Sequence, residues 1–110
     1  MQIKIQPDSQ KIAAYDRIEL HQRARHCLRR VQEIIRSICI RIGDASASAG
    51  AGDRHCVIEA HMENGRRLES HARGRAAIIA IDRALRRLAR AILSQLKREA
   101  AIRELRTATA

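Results

Sequence analysis

The stretch from Ala76 to about Lys97 runs without glycine or proline and carries its apolar residues at helical spacing. At about 100° per residue, Ile78, Ile81, Leu85, Leu88, Ile92 and Leu96 fall within a stripe about 80° wide. Opposite them lie Arg83, Arg86, Arg87, Arg90, Ser94, Lys97 and Arg98, with Asp82 the one acid between Ala76 and Arg98. A solvated helix usually mixes signs, because opposite charges four residues apart stabilise it and like charges do the reverse. This helix accepts Arg83/Arg87 and Arg86/Arg90 repulsion, which points to a face made for a polyanion. It also needs a layer to cover, so the rest of the chain must supply one.

The preceding residues supply strands. Met1 to Gln6 alternates Ile3 and Ile5 with Gln2, Lys4 and Gln6, and Pro7-Asp8-Ser9 ends that strand. Asp16-x-x-Glu19 has the form of a capping box and places the start of a first helix there. Leu20, Ala24, Cys27, Leu28 and Val31 form its apolar stripe, with Arg25, Arg29 and Arg30 on the far side. From Ile34 the period becomes two, with Ile34, Ile38, Ile40 and Ile42 inward and Ile35, Ser37, Cys39 and Arg41 outward. Ala45 to Gly52, all Ala, Ser and Gly, reads as a flexible connector within a single domain spanning residues 1–110.

His55 to Glu63 alternates again, and Asn64-Gly65 marks a hairpin. A two-residue Asn-Gly loop would push Leu68 onto the polar face. A three-residue loop of Glu63, Asn64 and Gly65, with Gly65 left-handed in a bulge, instead pairs Met62 with Arg66, Ala60 with Leu68, Ile58 with Ser70 and Cys56 with Ala72. The fourth strand then spans Arg66 to Arg73, and the tail frays from about residue 105 to 110. The expectation is an α+β domain, β-α-β-β-β-α, with a four-stranded sheet and two helices packed on one face.

Charge bounds the function. The chain has 22 Lys and Arg, 19 of them Arg, against 12 Asp and Glu, for a net charge of +10 in 110 residues. Nucleic acid is the commonest partner of so basic a domain. With one Tyr and no Phe or Trp, base stacking is not available, which leaves guanidinium contacts to phosphates of folded RNA. Three widely spaced cysteines, Cys27, Cys39 and Cys56, make no disulfide framework or C-x-x-C pair and read as small buried residues. His55, His61 and His71 match no established ligand spacing, and Glu59 with Glu69 reads as a solvated pair, so neither a metal nor another cofactor is expected and the chain reads as non-enzymatic. No apolar run approaches spanning length and the start lacks a signal-peptide pattern, which suits a cytoplasmic protein without a membrane partner or small-molecule substrate.

The opening Met1-Gln2-Ile3-Lys4-Ile5, the element order, and Ala80-Ile81-Asp82 followed by Arg87-Leu88 and Arg90 resemble the ribosome hibernation-promoting factor and ribosome-associated inhibitor family, also called the sigma-54 modulation protein family, in its short form. Arg87 stands where the family usually has lysine, and Ile78 where it has an aromatic residue. The resemblance implies a small-subunit ribosome binder with basic helix faces on ribosomal RNA, inhibiting translation and promoting hibernation, with Arg87 and Arg90 as carried-over contacts. Arg83, Arg86, Lys97, Arg98, Arg25, Arg29, Arg30 and Arg75 join them on helix-face position and charge. Two other readings stand beside it. A double-stranded-RNA-binding module would use Arg73 and Arg75 at the start of its last helix, and a protein-interaction module would use an aliphatic edge.

Overall fold

The β-hairpin closes as the alternation requires. In the computed structural model, which describes residues 1–7, 14–44 and 54–109, Gly65 has φ +88°, the left-handed conformation that a bulged three-residue loop needs. The Met62 N–H donates to the Arg66 carbonyl at 2.9 Å, the Gly65 N–H to the Met62 carbonyl at 3.0 Å, and the Arg66 N–H to Asn64 Oδ1 at 2.9 Å. Ala60 faces Leu68, Ile58 faces Ser70 and Cys56 faces Ala72.

The elements are β1 (Gln2–Pro7), α1 (Ala14–Cys27), a 3-10 turn (Gln32–Ile34), β2 (Ile35–Asp44), β3 (Arg54–Met62), β4 (Arg67–Gly74) and α2 (Ala77–Thr109). The sheet order is β1-β2-β3-β4, with β1 parallel to β2 and the remaining pairs antiparallel. Parallel neighbours need a crossover, and α1 supplies it. The core lies between one sheet face and the helices: Ile38, Ile40, Ile58 and Ala60 meet Leu20, Ala24, Leu28, Ile81, Leu85, Leu88 and Ile92, all nearly solvent-free. With no Phe or Trp to fill gaps, close approach comes from small residues. Ala80 and Ala84 are fully buried, and the Ser70 hydroxyl on β4 donates to the Ala84 carbonyl at 2.8 Å.

Five expectations are corrected. Helix α1 begins at Ala14, two residues before Asp16, and Glu19 pairs with Arg23 at 3.4 Å. In β2 the inward residue is Ile35, not Ile34, which belongs to the 3-10 turn; a bulge between Ile35 and Ser37 places Arg36 outside and restores the alternation at Ile38. β4 is Arg67–Gly74, one residue later than expected. The buried stripe of α2 is turned toward Ala80 and Ala84, leaving Leu96 36% exposed. Finally, α2 does not fray at 105 but continues to Thr109, since its end is rich in Ala, Arg, Glu and Leu and holds no stop signal. Residues 100–108 are exposed along that extension. The Ala45–Gly52 connector lies outside the described residues.

Candidate nucleic-acid interface

The basic face of α2 proves to be two surfaces. α2 packs on the sheet along one side and against α1 along another, so arginines a turn apart on its wheel look out over different neighbours. Arg86 and Arg90 look toward α1. There they meet Arg29 and Arg30, which follow the last turn of α1, and with His26, Cys27 and Ala89 they line a groove of about 540 Å³. None of the lining residues is acidic. The end of α1 suits this cluster, because the negative end of the helix dipole favours nearby cations and partly offsets the repulsion among four guanidinium groups.

Asp82 sets one limit of the groove. Its carboxylate forms ion pairs with Arg86, Nε at 3.0 Å, and with Arg23, Nη1 at 3.7 Å, so it ties α2 to α1 and orients Arg86. With Glu19 it lines a neighbouring hollow. Burial, and then Asp82, push the Cys27 thiol up, against smaller opposing effects of Arg86 and Arg23. The thiol therefore stays protonated and serves the groove as an apolar wall rather than as a nucleophile.

Arg83 and Arg87 look the other way, over the free edge of β4. Arg83 Nη1 donates to the Arg73 carbonyl at 2.9 Å and Arg87 Nη1 to the His71 carbonyl at 2.8 Å. These bonds satisfy edge-strand carbonyls that have no partner strand. A guanidinium has five N–H donors, so each of the two retains donors for an outside acceptor. Arg75, exposed in the bend before α2, adjoins this edge in sequence. Lys97 and Arg98 are exposed farther along α2, with Arg98 Nη2 3.4 Å from Ser94 Oγ, and Arg25 is exposed in the last turn of α1. These three are not among the groove-lining residues.

Sequence reasoning left Arg23, His26 and Cys27 out of the site. His26 adjoins the named Arg25 and could have been found from charge, whereas the role of Arg23 depends on an inter-helix approach that no spacing rule reports. The outer sheet face also differs from expectation. Glu59 stands opposite Glu69 as expected but is not solvated: its side chain is 17% exposed and lies among Arg67 Nε at 2.9 Å, His61 Nε2 at 3.2 Å and Arg41 Nη2 at 3.3 Å. Of the cysteines only Cys56 is buried, while Cys27 and Cys39 are partly exposed, and all three are free. Among the described residues no group of three or more His, Cys, Asp or Glu is placed to hold a metal ion, and no helix is long and apolar enough to cross a membrane.

Comparison with solved structures places this arrangement. A ribosomal subunit interface protein from Coxiella burnetii superposes with a TM-score of 0.69 over 92% of this chain and 99% of its own, at 15% identity. The chain shares its fold with a ribosomal subunit interface protein. The Thermus thermophilus Protein Y N-terminal domain is similar as well, with a TM-score of 0.64 over 89% of this chain and 98% of that one, at 19% identity. No protein-family model and no curated protein matches by sequence. At these identities the likeness is one of fold, so the chemistry of the site rests on this chain's own residues.

Proposed function

We propose that the protein is a non-enzymatic factor that binds the small ribosomal subunit through ribosomal RNA, and that by doing so it inhibits translation and promotes ribosome hibernation. The observation that carries the reading is the groove between α1 and α2, where Arg29, Arg30, Arg86 and Arg90 converge with no acid among the lining residues. Guanidinium groups held in such a cluster form charge-assisted, bidentate bonds to phosphate oxygens. Arg83, Arg87 and Arg75 extend the contact over the β4 edge, and Arg25, Lys97 and Arg98 extend it along the helices. The fold shared with a ribosomal subunit interface protein supports the ribosome as the source of the RNA. Function in the cytoplasm follows from that partner.

The test is co-sedimentation with purified small ribosomal subunits across a salt series, beside an Arg29→Glu/Arg90→Glu variant. The wild type is expected to pellet near stoichiometrically at physiological salt and to release as salt rises, because each neutralised phosphate frees a counterion. The variant is expected to stay in the supernatant. Equal competition by an arbitrary RNA duplex would favour the double-stranded-RNA reading, and a wild type that never pellets would overturn the ribosome reading.

A further inference from the structure

The outer face of the sheet carries a second constellation, unrelated to the arginine groove. On neighbouring strands, His55 of β3 and His71 of β4 stand diagonally, since His55 faces Arg73 and His71 faces Val57 in the register. Both project from the face opposite the helices. Their ring centroids are 5.5 Å apart with the planes tilted by 31°, and Nε2 of His55 lies 3.4 Å from Nδ1 of His71. The other nitrogen of His71, Nε2, lies 3.0 Å from Glu69 Oε1. That hydrogen bond commits Nε2 of His71 to donate, which leaves Nδ1 to accept from His55 Nε2; a metal between the two rings would replace that shared proton and release it to solvent.

We propose that His55 and His71 form a two-nitrogen chelate for a divalent zinc ion, with Glu69 as a positioning residue. Two requirements of imidazole ligation are met on the page. The first is separation: at a zinc–nitrogen distance of about 2.05 Å and a tetrahedral angle, two ligating nitrogens stand about 3.3 Å apart, against 3.4 Å here. A right-angled site, as in square-planar or octahedral coordination, would need about 2.9 Å and so a closing of the strands by about half an ångström. The geometry therefore favours zinc over nickel. The second is orientation: a ligating histidine characteristically gives its other N–H to a carboxylate, which holds the tautomer and the ring plane. Glu69 does this for His71.

Water completes the remaining coordination positions, because the chain brings only two ligands to the point. A chelate of two imidazoles binds far more weakly than a four-ligand structural site, since two fewer protein ligands hold the ion. The neighbouring charges point the same way. Arg73 and Arg67 flank the strand on the exposed side and oppose a cation, Glu69 favours it, and Glu59 is already engaged by Arg41, Arg67 and His61. The strands themselves are held in register by the hairpin and cannot splay to misplace the two rings.

The experiment is calorimetric titration of the full, tag-free chain with zinc chloride, with Cys39→Ser as a control for thiol binding. One zinc per chain is expected, bound more weakly than at a four-ligand structural site. His55→Ala and His71→Ala should each weaken binding at least about tenfold, Glu69→Gln by roughly tenfold, and Cys39→Ser should leave it unchanged. Titration with nickel should be weaker than the general order of divalent affinities would make it. All four side chains are outside the core, so circular dichroism is expected to show each variant folded. Absence of zinc binding up to millimolar concentration would overturn the proposal. So would binding that survives His71→Ala or disappears in Cys39→Ser.

Discussion

The division of the α2 arginines into a groove pair and an edge pair can be tested by salt dependence. In one variant Arg29 and Arg90 become glutamine, and in the other Arg83 and Arg87 do. If the four groove arginines each neutralise a phosphate, they contribute about 2.8 to 3.6 to the slope of log K against log salt concentration. Their share of affinity then falls about 50- to 150-fold between 50 and 200 mM salt. With Arg29 and Arg90 gone, two contacts remain, the slope drops by about 1.4 to 1.8, and the same salt change costs only about 7- to 12-fold. The edge pair should behave differently, because one donor of each guanidinium is already on a β4 carbonyl. Losing both of these exposed bonds should cost about 1 kcal/mol and lower Tm by about 4 °C. Fluorescence titration against labelled small subunits at five salt concentrations, with a thermal melt of each variant, measures both quantities. A groove variant with unchanged slope, or an edge variant that loses slope as strongly while keeping its Tm, would refute the division.

Three further outcomes follow from the packing. A methyl group at Gly74 would sit 2.8 Å from the Ala80 backbone nitrogen and 2.9 Å from Ile79 Cγ2, so Gly74→Ala should force the first turn of α2 off β4 and cost about 1–3 kcal/mol in urea unfolding. The Cys56 thiol is pushed up to about 12 by burial. Below pH 9 the thiol is protonated in both folded and unfolded chains and contributes no pH dependence, whereas above 9 only the unfolded chain ionises and stability falls as pH rises, by on the order of 1 kcal/mol at pH 10. Tm measured from pH 8 to 10.5 should therefore decline less steeply in Cys56→Ala. Truncation after Glu99 keeps its 3.1 Å bond to Arg66 and removes exposed residues, so the melt should shift by less than about 2 °C.

The element order and the hairpin register were legible because they depend on period and on local chain conformation. A strand side chain must alternate, and moving the loop by one residue would have turned Leu68 outward, so Gly65 and its neighbours left a single consistent register. The start of α1 and the phase of β2 are less legible for a related reason. Asp16 has capping chemistry wherever it stands in the first turn, and one bulged residue at Arg36 makes Ile35 the inward side chain while leaving the later alternation intact. The end of α2 is harder to read, because its apolar spacing is thin and the continuation to Thr109 rests on helix propensity rather than on a strong amphipathic signal.

For the candidate site, the sequence by itself determined the sign and the chemistry: an arginine-rich chain with one Tyr and no Phe or Trp can recognise phosphates and lacks the aromatic platform of single-strand readers. It also determined which arginines avoid the core, since the wheel reports that directly. Only the tertiary structure decided which of them act together. Arg29 and Arg30 are more than 50 residues from Arg86 and Arg90 in the chain, and they share a groove because α1 crosses back beside α2. Arg83 and Arg87, on the same helix, are drawn to the β4 edge because an unpaired strand offers carbonyls there. A helical wheel treats the solvent side as uniform, whereas packing gives each side of that face a different neighbour.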